Sequence, residues 1–70
     1  MNWIEMSAQQ RFDTLRTMFV RGGGFASKLA DAWMLADSGN ADALARAFPD
    51  LVRRYGPGSA IHLTPEAVHD

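Results

Sequence analysis

Seventy residues with no cysteine and a formal charge of -1 describe one small domain, held together without disulfides or a thiolate zinc site. Near-neutrality removes the surplus of Lys and Arg that general affinity for nucleic acid requires. No apolar run approaches the ~20 residues that span a bilayer, and the N-terminus lacks the basic start and cleavage pattern of a secretory signal, so a cytoplasmic protein is expected.

Two helix starts compete near the N-terminus: Asn2 with Glu5, and Ser7 with Gln10, each fit a capping box. Ile4, Ala8, Phe12, Leu15 and Phe19 keep one helical phase across both, which favours a single long helix from about residue 3 to 20. Met18 and Val20 fall outside that stripe, so the helix has either a wide buried face or an exposed apolar contact site. Gly22-Gly23-Gly24 then breaks the pattern. A phosphate-binding loop would need a strand before it and a G-x-x-x-x-G-K-[ST] spacing; a helix precedes these glycines and Lys28 is misplaced, so they read as a flexible elbow.

Phe25, Leu29, Ala32, Trp33 and Ala36 form the next stripe, and Leu44, Ala47, Phe48, Leu51, Val52 and Tyr55 the one after it. Ser38-Gly39-Asn40 lies between them. Gly39 suits a left-handed helix end, Asn40 suits the cap of the next helix, and Asp42 its first turn. This pattern predicts an antiparallel helical hairpin over residues 25–55, apolar faces together. Pro49 either kinks the third helix or opens a new one as its first residue; the second is preferred, with a corner at Phe48 and a short helix from Pro49 to Tyr55. Arg53 and Arg54 suit its carbonyl end, and Gly56-Pro57-Gly58 closes it.

The tail changes character. Ala60-Ile61-His62-Leu63 is extended in flavour, and Thr64-Pro65-Glu66 is a helix start. Ile61, Leu63 and Val68 either dock across the bundle or belong to a free arm. Trp3, Phe12, Phe19, Phe25, Trp33, Phe48 and Tyr55 are the expected aromatic core.

The residues that bear chemistry do not assemble into a catalytic pattern. His62 and His69 are seven apart in the tail, without converging carboxylates or thiolates, so no metal and no cofactor are expected. The four serines lack the setting of an activated nucleophile, and Asp31 and Asp37 do not share a helix face. An enzyme is not expected. A DNA-reading helix-turn-helix is disfavoured because Asp42, Arg46 and Asp50 point outward from the helix after the turn.

Charge is nevertheless uneven. Residues 1–28 set Arg11, Arg16, Arg21 and Lys28 against Glu5 and Asp13; residues 29–50 set Asp31, Asp37, Asp42 and Asp50 against Arg46. The bland reading is a solvated surface, and the sharper one an acidic patch at the hairpin that meets a basic partner. Met34 and Leu35 continue the helix on sides its stripe does not need, as apolar anchors for such a partner or as residues covered by the first helix or the tail.

Gly24-Phe25, Leu29-Ala30, Ala32-Trp33, Ala36-Asp37, Asn40, Leu44, Ala47-Phe48-Pro49 and Arg54-Tyr55, with Trp3, Met6-Ser7-Ala8 and Arg11-Phe12 before them, resemble small uncharacterised proteins of bacteriophages and prophages in high-GC bacteria. The resemblance covers roughly residues 3–55. It implies no catalytic residues. It implies an accessory protein of a mobile element, a group whose members often bind and block host machinery; inhibitors of CRISPR effector complexes are one class.

The expectation is therefore an all-α domain: a helical bundle over 1–58 with a long first helix, a hairpin and a short Pro49-initiated helix, then an irregular tail over 59–70, docked or flexible. The leading function is a non-enzymatic protein-interaction factor, an inhibitor acting by occlusion, with Asp31, Asp37, Asp42, Asp50, Met34 and Leu35 as its contact surface on a host or phage protein. The alternatives are a nucleic-acid-binding regulator using Arg11, Arg16, Arg21 and Lys28, and a structural homodimer.

Overall fold

Both N-terminal caps are used, one after the other. The Asn2 side chain accepts from the Glu5 amide and the Glu5 carboxylate from the Asn2 amide, closing a 3-10 turn over Trp3–Glu5. Ser7 and Gln10 then make a second reciprocal pair that starts α1, Ala8–Arg21. The single helix expected from residue 3 is corrected to a turn and a helix, broken at Met6 where the chain is extended. In this computed structural model, which describes residues 1–63, α2 (Gly23–Leu35), α3 (Ser38–Ala47), α4 (Pro49–Tyr55) and the four-residue α5 (Ala60–Leu63) follow. The fold is a small all-α bundle, as expected, with no strand among the described residues.

α1 and α2 make the most extensive pairing of the bundle. They meet at Gly22, which ends one helix and begins the other. A Cβ there would stand 2.6 Å from that of Ala26 and 2.3 Å from the Met18 carbonyl oxygen, while Gly23 has φ +76. The expected flexible elbow is thus a defined corner in which Gly22 has no room for a side chain and Gly23 takes a backbone conformation that favours glycine.

The α2–α3 corner is not where the glycine suggests. It is Ala36-Asp37, with Ser38, Gly39 and Asn40 forming the first turn of α3. Asp37, not Asn40, is the N-cap; its Oδ1 accepts from the Asn40 amide at 2.8 Å. Gly39 does not take the left-handed conformation, and Asp42 lies past the first turn. Pro49 opens α4, with Phe48 at φ -128, ψ 58 as the corner. The stretch Ala60–Leu63 is helical rather than extended.

The core contains Trp3, Met6, Leu15, Met18, Ala26, Ala30, Trp33, Ala41, Val52 and Tyr55. Of the seven aromatics expected there, Trp3, Trp33 and Tyr55 are buried and Phe48 half-buried, whereas Phe12, Phe19 and Phe25 are exposed. The buried face of α1 is Thr14, Leu15 and Met18; of the expected Ile4-Ala8-Phe12-Leu15-Phe19 stripe only Leu15 is buried and the other four are exposed, so the buried face is rotated away from that stripe. Thr14 is tolerated there because its hydroxyl donates to the Gln10 carbonyl at 2.7 Å. The Trp3 and Trp33 rings meet at 5.2 Å and 41°. The Trp33 indole N–H is buried with no hydrogen-bond partner among the described residues.

Polar bonds tie α5 to the bundle. Arg21 donates to the Ile61 carbonyl at 2.9 Å, and the His62 Nε2 lies 2.8 Å from the Tyr55 carbonyl. Ile61 is half-buried against the core. The expected helix start at Thr64-Pro65-Glu66, and Val68 and His69, lie outside the described residues.

Candidate functional site

α2 buries Ala26, Ala30 and Trp33, with Leu29 half-buried against the core, and leaves its other large apolar side chains outside. Phe25 is 65%, Met34 40% and Leu35 85% exposed. Between α2 and α3 runs an open groove lined by Ala32, Leu35, Ala36, Asn40, Ala43, Leu44 and Ala47. Its floor is mostly methyl groups, because alanines line both sides: Ala32 on α2 and Ala36 at the corner just past its end, Ala43 and Ala47 four apart on α3. Beyond Leu44 and Ala47, the Phe48 ring meets the Phe25 ring at 5.9 Å. Such a surface accepts an apolar ridge rather than a small polar molecule. Two smaller hollows, about 160 Å³ beside Trp3 and about 180 Å³ beside His62, fall below the ~300–1,000 Å³ usual for small-molecule sites.

The four aspartates do not act as one face. Asp31 and Asp37 adjoin the groove residues Ala32 and Ala36, and both are exposed. Asp42 is half-buried and turned inward, its carboxylate accepting from the Trp3 indole N–H at 3.2 Å. Asp50 pairs with Arg53 on α4. Met34 and Leu35 are both exposed, not covered by α1.

The basic set divides similarly. Arg11 donates from Nε to the Trp3 carbonyl at 3.0 Å and stacks 5.1 Å from the Trp3 ring centre. Arg21 holds α5. Arg16 on α1 and Lys28 on α2 are exposed. No group of three His, Asp or Glu side chains among the described residues is placed to hold a metal, and no helix there is long and apolar enough to cross a membrane.

The groove itself was not foreseen. Its sequence signal is the repeated spacing of alanines on the two helices beside Leu35 and Leu44, where a helix that needed only a core stripe would carry polar residues. No protein-family model matches this chain, and neither a curated protein nor a solved structure matches it significantly.

Proposed function

We propose that the protein is a non-enzymatic interaction factor that seats an apolar, basic-flanked helix of a partner protein in the α2–α3 groove. The observation that carries this reading is Leu35, 85% exposed at the lip of an alanine-lined channel, since contiguous apolar surface of this kind marks contact sites. Asp31 and Asp37, exposed and next in sequence to the channel residues Ala32 and Ala36, supply negative charge that would favour a partner carrying Lys or Arg. Asp42 drops out of the contact set because its carboxylate already serves Trp3, and Asp50 because it lies on α4 and lines no part of the groove.

The test is capture of a partner by the full chain, compared with Leu35→Asp, Ala43→Arg and Asp31→Lys. Loss of capture in all three, with helical circular dichroism retained, supports the groove; capture as strong as that of the unaltered chain refutes it. The narrower reading, an inhibitor encoded by a phage and directed at host machinery such as a CRISPR effector complex, rests on the sequence resemblance and is tested by an interference assay in cells expressing the protein. A nucleic-acid role is weakened by the internal use of Arg11 and Arg21. A gel shift that tightens steeply as salt is lowered would restore it.

A further inference from the structure

The groove between α2 and α3 changes sign along its length. Both helices lead away from the Ala36-Asp37 corner, and at their far ends the Phe25 and Phe48 rings still touch. Asp37 stands at the corner, and Asp31 lies about 6 Å back from Leu35 along α2, at a rise of ~1.5 Å per residue. Lys28 lies about 10 Å back from Leu35, and Arg46 about 12 Å along α3 from Ser38, both toward the Phe25–Phe48 end. Helical spacing ties three of these charges to the lining residues: Lys28 is one turn before Ala32, Asp31 one turn before Leu35, and Arg46 one turn beyond Ala43.

All four charged residues are exposed. They do not neutralise one another, since among the described residues the one ion pair is Arg53 with Asp50. We propose that this polarity fixes which way round the partner helix lies: its basic end over the Asp37 corner, its acidic end between Lys28 and Arg46, and its apolar face on the alanines. This orientation rests on the groove's being a helix seat, as proposed above, and narrows the partner's flanks to one of each sign.

Charge makes a choice that apolar contact does not. Alanine and leucine line the channel along its length, so the floor accepts a helix either way round. Reversing the helix sets its acidic end against Asp31 and Asp37 and its basic end against Lys28 and Arg46, which turns attraction into repulsion at both ends. The corner and Arg46 are further apart than the ~8 Å over which exposed charges act at physiological salt, so each end of the helix answers to its own neighbours. From Leu35 back to Phe25 the channel runs about 15 Å, three helical turns, which suits apolar anchors at i, i+3 or i+4, and i+7.

Three blocked peptides of about 16 residues, long enough to overrun those turns, test the orientation. They share one leucine stripe and differ only in their ends: lysine pairs at both, glutamate pairs at both, or lysines at one and glutamates at the other. In anisotropy titrations at low salt, the mixed peptide is expected to bind about three- to tenfold tighter than the doubly basic one. That gap should close near ~1 M salt, where the screening length falls to ~3 Å. A nitroxide on the lysine end should broaden the amide NMR signals of residues 36–40, and one on the glutamate end those of Phe25 and Ala47. Lys28→Glu combined with Arg46→Glu should reverse the ranking, so that the doubly basic peptide binds tightest; circular dichroism checks that this variant is folded. Asp37 is left unaltered because it caps α3. If none of the three peptides binds, the groove is not a helix seat and the orientation falls with it. If they bind but the doubly basic peptide matches the mixed one, or the nitroxide broadens both ends alike, the groove stands and the orientation is overturned.

Discussion

The two sides of α1 are nearly equal in apolar content and opposite in fate. One side carries Leu15 and Met18 with Thr14 and is closed off completely; the other carries Phe12, Phe19 and Val20 and is about half wet. Ring size does not decide which side turns inward. What decides it is the neighbour: the chain turns from α1 into α2 at Gly22 with no room for a side chain there, since a Cβ would clash with the Met18 carbonyl oxygen and the Ala26 methyl, and α2 closes over the Leu15 and Met18 side of α1. The bulky rings are displaced to the outside, where the fold does not need them.

That contrast can be broken most severely at the inner side. Trp33→Ala should cost about 3–5 kcal/mol and Met18→Ala about 2–5 kcal/mol, a large part of the total stability of a domain this small, measured by urea unfolding. Trp33→Phe should cost clearly less than Trp33→Ala, since it also removes an indole N–H that has no partner among the described residues. Gly22→Ala should cost about 1–3 kcal/mol by forcing the corner apart. If it were neutral, the closeness of α1 and α2 would not be what selects the inner face. Asp37→Ala removes the α3 cap, with an expected loss of about 1 kcal/mol and a fall in Tm of about 4–8 °C. At the other extreme, Phe12→Ala and Phe19→Ala at micromolar concentration should change stability by no more than about 0.5 kcal/mol. A loss near the Met18 value would mean the outer rings hold the monomer together after all.

Local signals were legible in the sequence and the helical phase was not. Asn2 with Glu5, Ser7 with Gln10 and Pro49 act within one turn, so their chemistry can be read without knowing the rest of the fold. The phase of α1 depends on a helix elsewhere in the chain, and Phe12-Leu15-Phe19 and Leu15-Met18 are both valid stripes sharing one residue. Gly39 misled for a related reason: its freedom to end a helix mattered less than the Asp37 carboxylate two residues earlier, already positioned to begin one. Of the contact candidates, Leu35 and Met34 could be singled out because no core stripe claimed them. That Asp42 bonds Trp3, 39 positions away, could not.

The sulfur atoms offer an internal clock. Met1 and Met34 are 54% and 40% exposed, whereas Met6 and Met18 are 5% and 0% exposed. Dilute peroxide should therefore add two oxygens quickly and the next two only as fast as the molecule opens. Counting mass increments against time would then read the lifetime of the closed form from four thioethers, with no label attached.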